Sequence, residues 1–138
     1  MVNRDYFKDQ VSWDGLFDYP PQFQTMAALA GFEAAPGVTL RPFWGKNLMA
    51  SYVTFSRGAA APRHQHPQEQ MSLVLSGALL FTVGDVTQWI RAGDIVSIPA
   101  NVPHAATASE EGAVAVDMFS PPRDGFHELM GAVGTEGS

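Results

Sequence analysis

A chain of 138 residues with 46% hydrophobic content suits one domain with a sizeable core and leaves too little for a second. A net charge of -6 with no basic cluster excludes binding to a phosphate backbone, so nucleic acid is not an expected partner. With no cysteine there is neither a disulfide nor a thiolate, and any metal must be held by histidine, carboxylate or amide.

Charged residues make up only 16%, against 13 Gly and 10 Pro, a balance that favours an all-β protein with many tight turns. The start, Met1 to Lys8, lacks the apolar core of a secretory signal, and no run approaches the roughly 18 residues of a membrane span. A soluble, cytoplasmic protein without membrane association is expected. Residues 1–36 do not alternate like a sheet and carry Tyr6, Phe7, Trp13, Phe17, Tyr19 and Phe23. This aromatic-rich arm would cover a sheet edge, make a dimer contact or close over a pocket as a lid. Within it, Phe23, Met26, Ala27 and Ala30 form one stripe, predicting a short helix over 22–30 that ends at Gly31.

Strands dominate residues 37–120. The predicted runs are Val38–Trp44, Leu48–Ser56, Met71–Leu75, Ala78–Val83, Val86–Ile90, Ile95–Ile98 and Ala113–Phe119, with turns at Gly45-Lys46-Asn47, Ser76-Gly77, Gly84-Asp85 and Arg91-Ala92-Gly93-Asp94. Residues 99–103 read as a loop ending in His104. Short strands at this spacing describe a sandwich or barrel. Pro121-Pro122 ends the sheet, Asp124 is placed to cap a helix running to Met130, and the rest of 121–138 reads as a tail.

His64 and His66 are separated by one residue, which puts both imidazoles on one face of an extended chain. The same parity carries Gln70 and turns Glu69 away. Two imidazoles and an amide oxygen on one face form a chelating set.

These residues resemble a known family. Gly58, five residues, His64-x-His66, three residues, Gln70, six residues and Gly77 match the first motif of the cupin superfamily; Gly93, five residues, Pro99 and then His104 resemble the second, with Asn101 where the family usually has Gly. The resemblance implies a double-stranded β-helix, a jelly-roll barrel, with one divalent metal ion held by His64, His66, Gln70 and His104. Zinc is the expected ion, with Fe2+, Ni2+ or Mn2+ as alternatives. It also implies a homodimer paired through edge strands and a small-molecule substrate.

Neutral imidazoles suit borderline divalent metals, and a set of this size leaves positions open for water or substrate. Gln70 stands where the family commonly has Glu, which leaves the site one positive charge richer. That favours Lewis-acid polarisation of a carbonyl over the chemistry of a two-histidine, one-carboxylate iron oxygenase. Asp117 shares its face with Ala113, Ala115 and Phe119, and a carboxylate in an apolar strand needs a partner or a function. It reads as a structural ion pair with Arg123 or as a catalytic group. The segment is similar to that of uronate-ketonising pectin-degradation cupins, which implies proton transfer by Asp117 and carboxylate binding by Arg123. His127, outside both motifs, reads as a surface residue or a contact at the barrel mouth.

Candidate pocket residues are Phe43, Trp44, Met49, Tyr52, Met71, Leu73, Phe81 and Phe119, an inventory that favours a large, flat, apolar substrate. That profile is similar to cupin-type polyketide cyclases, and aldol cyclisation and aromatisation is the leading expectation. Uronate ketonisation is the alternative. A cupin lyase, a dioxygenase and a non-catalytic ligand-binding cupin complete the range.

Overall fold

In the strand Met49–Phe55 (β3), Met49, Ser51, Val53 and Phe55 are buried while Ala50, Tyr52 and Thr54 are half-exposed, a strict period of two. One face therefore looks into a core and the other out, and the same logic builds the rest of the sheet. The computed structural model describes Tyr6, Phe7 and residues 20–136, with side chains as far as Met130. Trp13, Phe17 and Tyr19 of the expected arm lie outside the described residues.

The remaining strands are β1 (Phe32–Ala35), β2 (Val38–Trp44), β4 (Ala60–His64), β5 (Glu69–Val83), β6 (Val86–Arg91), β7 (Ile95–Ile98) and β8 (His104–Ser120). All pairings are antiparallel, in the order β1-β2-β3-β8-β5-β6, with β4 against β8 and β7 against β5. Two long strands make this a jelly roll. The first part of β5 pairs with β7 and with the end of β8, and its second part pairs with β6 and with the start of β8. Likewise β8 pairs with β4 at its start and β3 at its end, so both strands pass from one layer to the other.

The expected turn at Ser76-Gly77 is a bend inside one continuous strand. Register shifts fall between Val74 and Ser76 and between Gly77 and Leu79. Gly77 has φ +71° and faces Gly112 (φ +73°); a Cβ on Gly77 would lie 2.1 Å from the Gly112 carbonyl oxygen. A bulge and a turn use the same residue type, so the sequence alone did not separate them. β8 likewise extends much further towards its N-terminal side than the predicted strand, because Ala105 to Ala108 pair with β5 and β4.

The helix predicted over 22–30 is a single 3-10 turn, Met26–Ala28, that buries no residue. Phe23 is exposed, so the apolar stripe has nothing to pack against, and so short a helix is not stable on propensity alone. The Arg41 guanidinium donates to the Leu29 carbonyl at 2.8 Å and guides the chain into β1, which lies within the segment read as an arm. At the other end the helix α1 runs Gly125–Glu136. Its Phe126 is buried against Phe32 and Phe119 at ring separations of 5.6 and 5.8 Å.

The main core gathers Val38, Val53, Phe55, Val74, Leu79, Phe81, Ile90, Ile98 and the small residues of β8. A second cluster of Phe32, Met49, Phe119 and Phe126 joins α1 to the barrel. Full burial of each such large side chain contributes about 1.5–3 kcal/mol. Among the described residues no helix is long and apolar enough to cross a membrane.

Candidate metal centre

His64 ends β4 and pairs in register with His104, the first residue of β8; His66 lies two residues on, and Gln70 is the second residue of β5. The loop before His104 is tied to this strand, because the Asn101 N–H donates to the His66 carbonyl at 2.8 Å. Asn101 has φ +63°. Asn is among the few residues that adopt this left-handed conformation at small cost, which explains how it stands at the glycine position of the second motif.

The ligand atoms of His64, His66 and His104 lie within 4.8 Å of one another. Each imidazole is oriented in the same way. Nδ1 of His64 faces the Pro62 carbonyl at 2.7 Å, Nδ1 of His66 the Gln68 carbonyl at 3.0 Å, and Nδ1 of His104 the Val102 carbonyl at 2.9 Å. A carbonyl only accepts, so each Nδ1 carries the proton and each Nε2 keeps its lone pair. Nε2 of His104 is buried without a hydrogen-bond partner, and Nε2 of His66 lies 2.9 Å from Oε1 of Gln70, also an acceptor. Three imidazole lone pairs and an amide oxygen turned towards one another fit a divalent cation. Burial favours the neutral form of two of them: it lowers the pKa of His66, helped by the Arg123 charge, and lowers that of His104 to about 4.

From Gln70 a chain of hydrogen bonds leads away from the histidines. Nε2 of Gln70 donates to Oγ of Ser72 at 2.9 Å, and Ser72 donates to Oδ1 of Asp117 at 2.7 Å. Asp117 sits on the cavity wall; burial raises its pKa to about 6, against the opposing effects of the Ser72 hydrogen bond and the Arg123 charge. Arg123 acts on it through space rather than as a contact ion pair, its guanidinium lying 5.4 Å over the Phe119 ring and 5.0 Å over Phe126.

A cavity of about 240 Å3 opens at this site, and its polar lining includes His64, Gln70, His104, Asp117 and Arg123. Its other walls are apolar, with Phe32, Leu40, Val53, Phe55, Leu79 and Phe81 among them. Of the eight residues expected to form the pocket, Phe81 and Phe119 line it and six do not. Tyr52 and Met71 are on outward parity, Met71 being 43% exposed. Met49 points inward but is enclosed in the α1 cluster, where its Sδ accepts the Arg123 N–H. Trp44 stacks on His127 at 4.0 Å and borders a shallow outer groove together with Phe43. Leu73 is half-buried on outward parity. His127 is exposed, in keeping with its reading as a surface residue. Sequence reasoning did not single out Ser72, although it shares the even-numbered parity of His64, His66 and Gln70. Nor did it find Phe32, Phe126 and Leu129, which reach the cavity only through tertiary packing.

A bent-strand β-barrel with three clustered histidines beside its cavity defines a jelly roll with a candidate metal site as the class of protein. Residues 51–119, half of the chain, match the family described as the cupin domain, and the chain belongs to that family. It is 31% identical over 84 residues to the pectin degradation protein KdgF of Dickeya dadantii, covering 60% of this chain and 76% of that protein. It is 44% identical over 77 residues to the H2HPP isomerase of Bacillus subtilis, covering 49% of this chain but only 33% of that protein. The solved structure of KdgF from Halomonas sp. superposes with a TM-score of 0.71 at 29% identity, over 76% of this chain and 97% of that one.

Proposed function

We infer that this cupin is a metal-dependent isomerase that moves a proton between an oxygen and a nearby carbon of a small keto or enol acid, with ketonisation of an unsaturated uronate as the leading substrate class. The observation that carries this is a carboxyl group of raised pKa, Asp117, on the wall of the cavity that His64, His104 and Arg123 also line. Relatives named for pectin degradation and for isomerisation support it.

A divalent ion, zinc in the first instance, held by the imidazoles of His64, His66 and His104 and by Oε1 of Gln70, supplies Lewis-acid polarisation of a substrate oxygen when bound. Asp117 does the proton transfer. In ketonisation of a cyclic 4,5-unsaturated uronate the hemiacetal hydroxyl at C1 loses its proton, the bond from C1 to the ring oxygen breaks, that oxygen becomes the C5 carbonyl, and C4 gains one proton, so atoms balance without a co-reactant. A carboxyl group with a pKa of about 6 is poised both to accept and to return a proton near neutral pH. Arg123, held over two aromatic rings, offers its fork to the substrate carboxylate. The test is the ultraviolet absorbance of a 4,5-unsaturated uronate mixed with zinc-loaded protein. Absorbance should decay with the wild type and not with Asp117→Asn; flat traces with the wild type would remove the reading.

The apolar lining of the rest of the cavity favours a second reading, polyketide cyclisation, which none of the relatives named above supports. Under it, adding the protein to a reconstituted minimal polyketide synthase would change the product pattern; an unchanged pattern removes this reading.

A further inference from the structure

Gln70 presents a problem that a glutamate would not. A carboxylate offers a lone pair from either oxygen, whereas an amide has one coordinating end, and reversing it would turn an NH2 group with no available lone pair towards the histidines. Something must fix which end faces the site. His66 cannot, because its Nδ1 proton is committed to the Gln68 carbonyl and its Nε2 has nothing to donate to Gln70.

The orienting group lies on the other side. Ser72 is fully buried, two residues along β5 on the same inward face, and directly opposite Asp117 in the β5–β8 register. An ionised carboxylate accepts and does not donate, so the Ser72 hydroxyl proton goes to Oδ1 of Asp117 at 2.7 Å. The lone pairs of Ser72 Oγ are then left to accept, and they take the Nε2 proton of Gln70 at 2.9 Å. With Nε2 so engaged, Oε1 is turned to the imidazoles. The polarity of the whole chain is set from Asp117 inward.

We propose that Ser72 is a positioning residue that locks the Gln70 amide with its oxygen towards the three histidines, and so makes a glutamine usable as a metal ligand in this barrel. The proposal rests on the metal-binding part of the proposed function and not on the reaction assigned to it. It identifies a determinant of metal affinity that does not itself touch the metal.

A double-mutant cycle measured by Zn2+ affinity, in competition with a chromophoric chelator at fixed pH, tests it. The four proteins are the wild type, Ser72→Ala, Gln70→Glu and the double variant, each checked for folding by circular dichroism. Ser72→Ala should weaken Zn2+ binding about 10- to 100-fold in the Gln70 protein, the usual loss for an outer partner of a metal ligand. In the Gln70→Glu protein, where orientation no longer matters, the same change should cost less than about threefold. Equal losses in both backgrounds would make Ser72 merely structural, and no loss in the Gln70 protein would mean that something else orients the amide; either overturns the proposal, as does a wild type that takes up no Zn2+. Should Ser72→Ala fail to fold, the isosteric pair Ser72→Thr and Ser72→Val replaces it, with Thr expected to bind at least about tenfold more tightly than Val and equal affinities counting against the proposal. An inactive protein with an intact cycle would remove the isomerase and leave the positioning. A catalytically active protein with no coupling would do the reverse.

Discussion

Nε2 of His66 and Oε1 of Gln70 face each other at 2.9 Å, while Nδ1 of the same imidazole faces the Gln68 carbonyl at 3.0 Å. A neutral imidazole has one N–H and cannot satisfy two acceptors, and burial disfavours the imidazolium that could. A divalent cation that took both His66 and Gln70 as ligands would remove the mismatch, so metal should stabilise the fold and not only the reaction. At a free Zn2+ concentration about 100-fold above Kd the gain is about 2.7 kcal/mol. That corresponds to a rise in Tm of roughly 5–15 °C for a domain of this size. Calorimetry of chelator-treated and reloaded protein checks it, and His104→Ala should lose most of the response. Identical melting curves with and without metal would contradict the assignment.

Two buried groups titrate in opposite senses in the metal-free protein. His104 has its pKa lowered from 6.5 to about 4, so between those values the unfolded chain binds a proton that the folded chain refuses, and stability falls as pH falls. Asp117 is raised from 3.8 to about 6, so across that window the folded chain keeps a proton that the unfolded chain has released, and stability falls as pH rises. The windows overlap from about pH 4 to 6, and the contributions offset. Asp117→Asn removes one of them. Urea midpoints of the chelated proteins at several pH values between about 7 and 4 should show a steeper acid loss for the variant, by on the order of 1 kcal/mol. Parallel profiles would sink the argument.

How much of this was legible in the sequence depended on whether the signal was local. Parity put His64, His66 and Gln70 together and turned Glu69 away, and the grouping holds although residues 65–68 link β4 to β5 outside either strand. His104 was legible only through the second motif, since no local rule brings residue 104 to residue 64. Ser72 had the right parity but no chemistry of its own to mark it; its meaning comes from Asp117 across the strand pair. The outward placing of Tyr52 and Met71 was readable from the same alternation, and treating every aromatic or methionine as a pocket candidate overrode it. The cavity walls at Phe32 and Phe126 depend on where β1 and α1 pack, which no periodicity records.

Gly77 illustrates the other kind of ambiguity and carries its own prediction. Its φ is positive, and the Gly112 oxygen lies 2.1 Å from where a Cβ would stand, which leaves no room for alanine unless β5 and β8 separate at their crossing. Gly77→Ala should therefore cost more than about 4 kcal/mol, or prevent folding, whereas Gly58→Ala, which has φ +68° but open space around its Cβ, should cost about 1 kcal/mol. Denaturant titrations of the two variants compare them directly. Similar losses would show that backbone conformation, and not the strand contact, governs Gly77.

Arg123 separates charge from geometry at the site. Its backbone N–H donates to Met49 Sδ at 3.1 Å, and its guanidinium lies over Phe119 and Phe126, so both ends of the residue are held by the α1 cluster. Lysine keeps the positive charge but loses the planar fork that grips a carboxylate in two places and stacks flat on a ring. If Arg123 binds the substrate carboxylate, Arg123→Lys should raise KM for an unsaturated uronate about tenfold or more and leave kcat within a fewfold. Arg123→Ala should raise KM further and also lower kcat, because a substrate no longer held at its carboxylate presents its reacting carbon poorly to Asp117. Steady-state kinetics across the three proteins decide the matter. A lysine variant with unchanged KM and lowered kcat would place Arg123 beside the proton transfer instead of at the carboxylate.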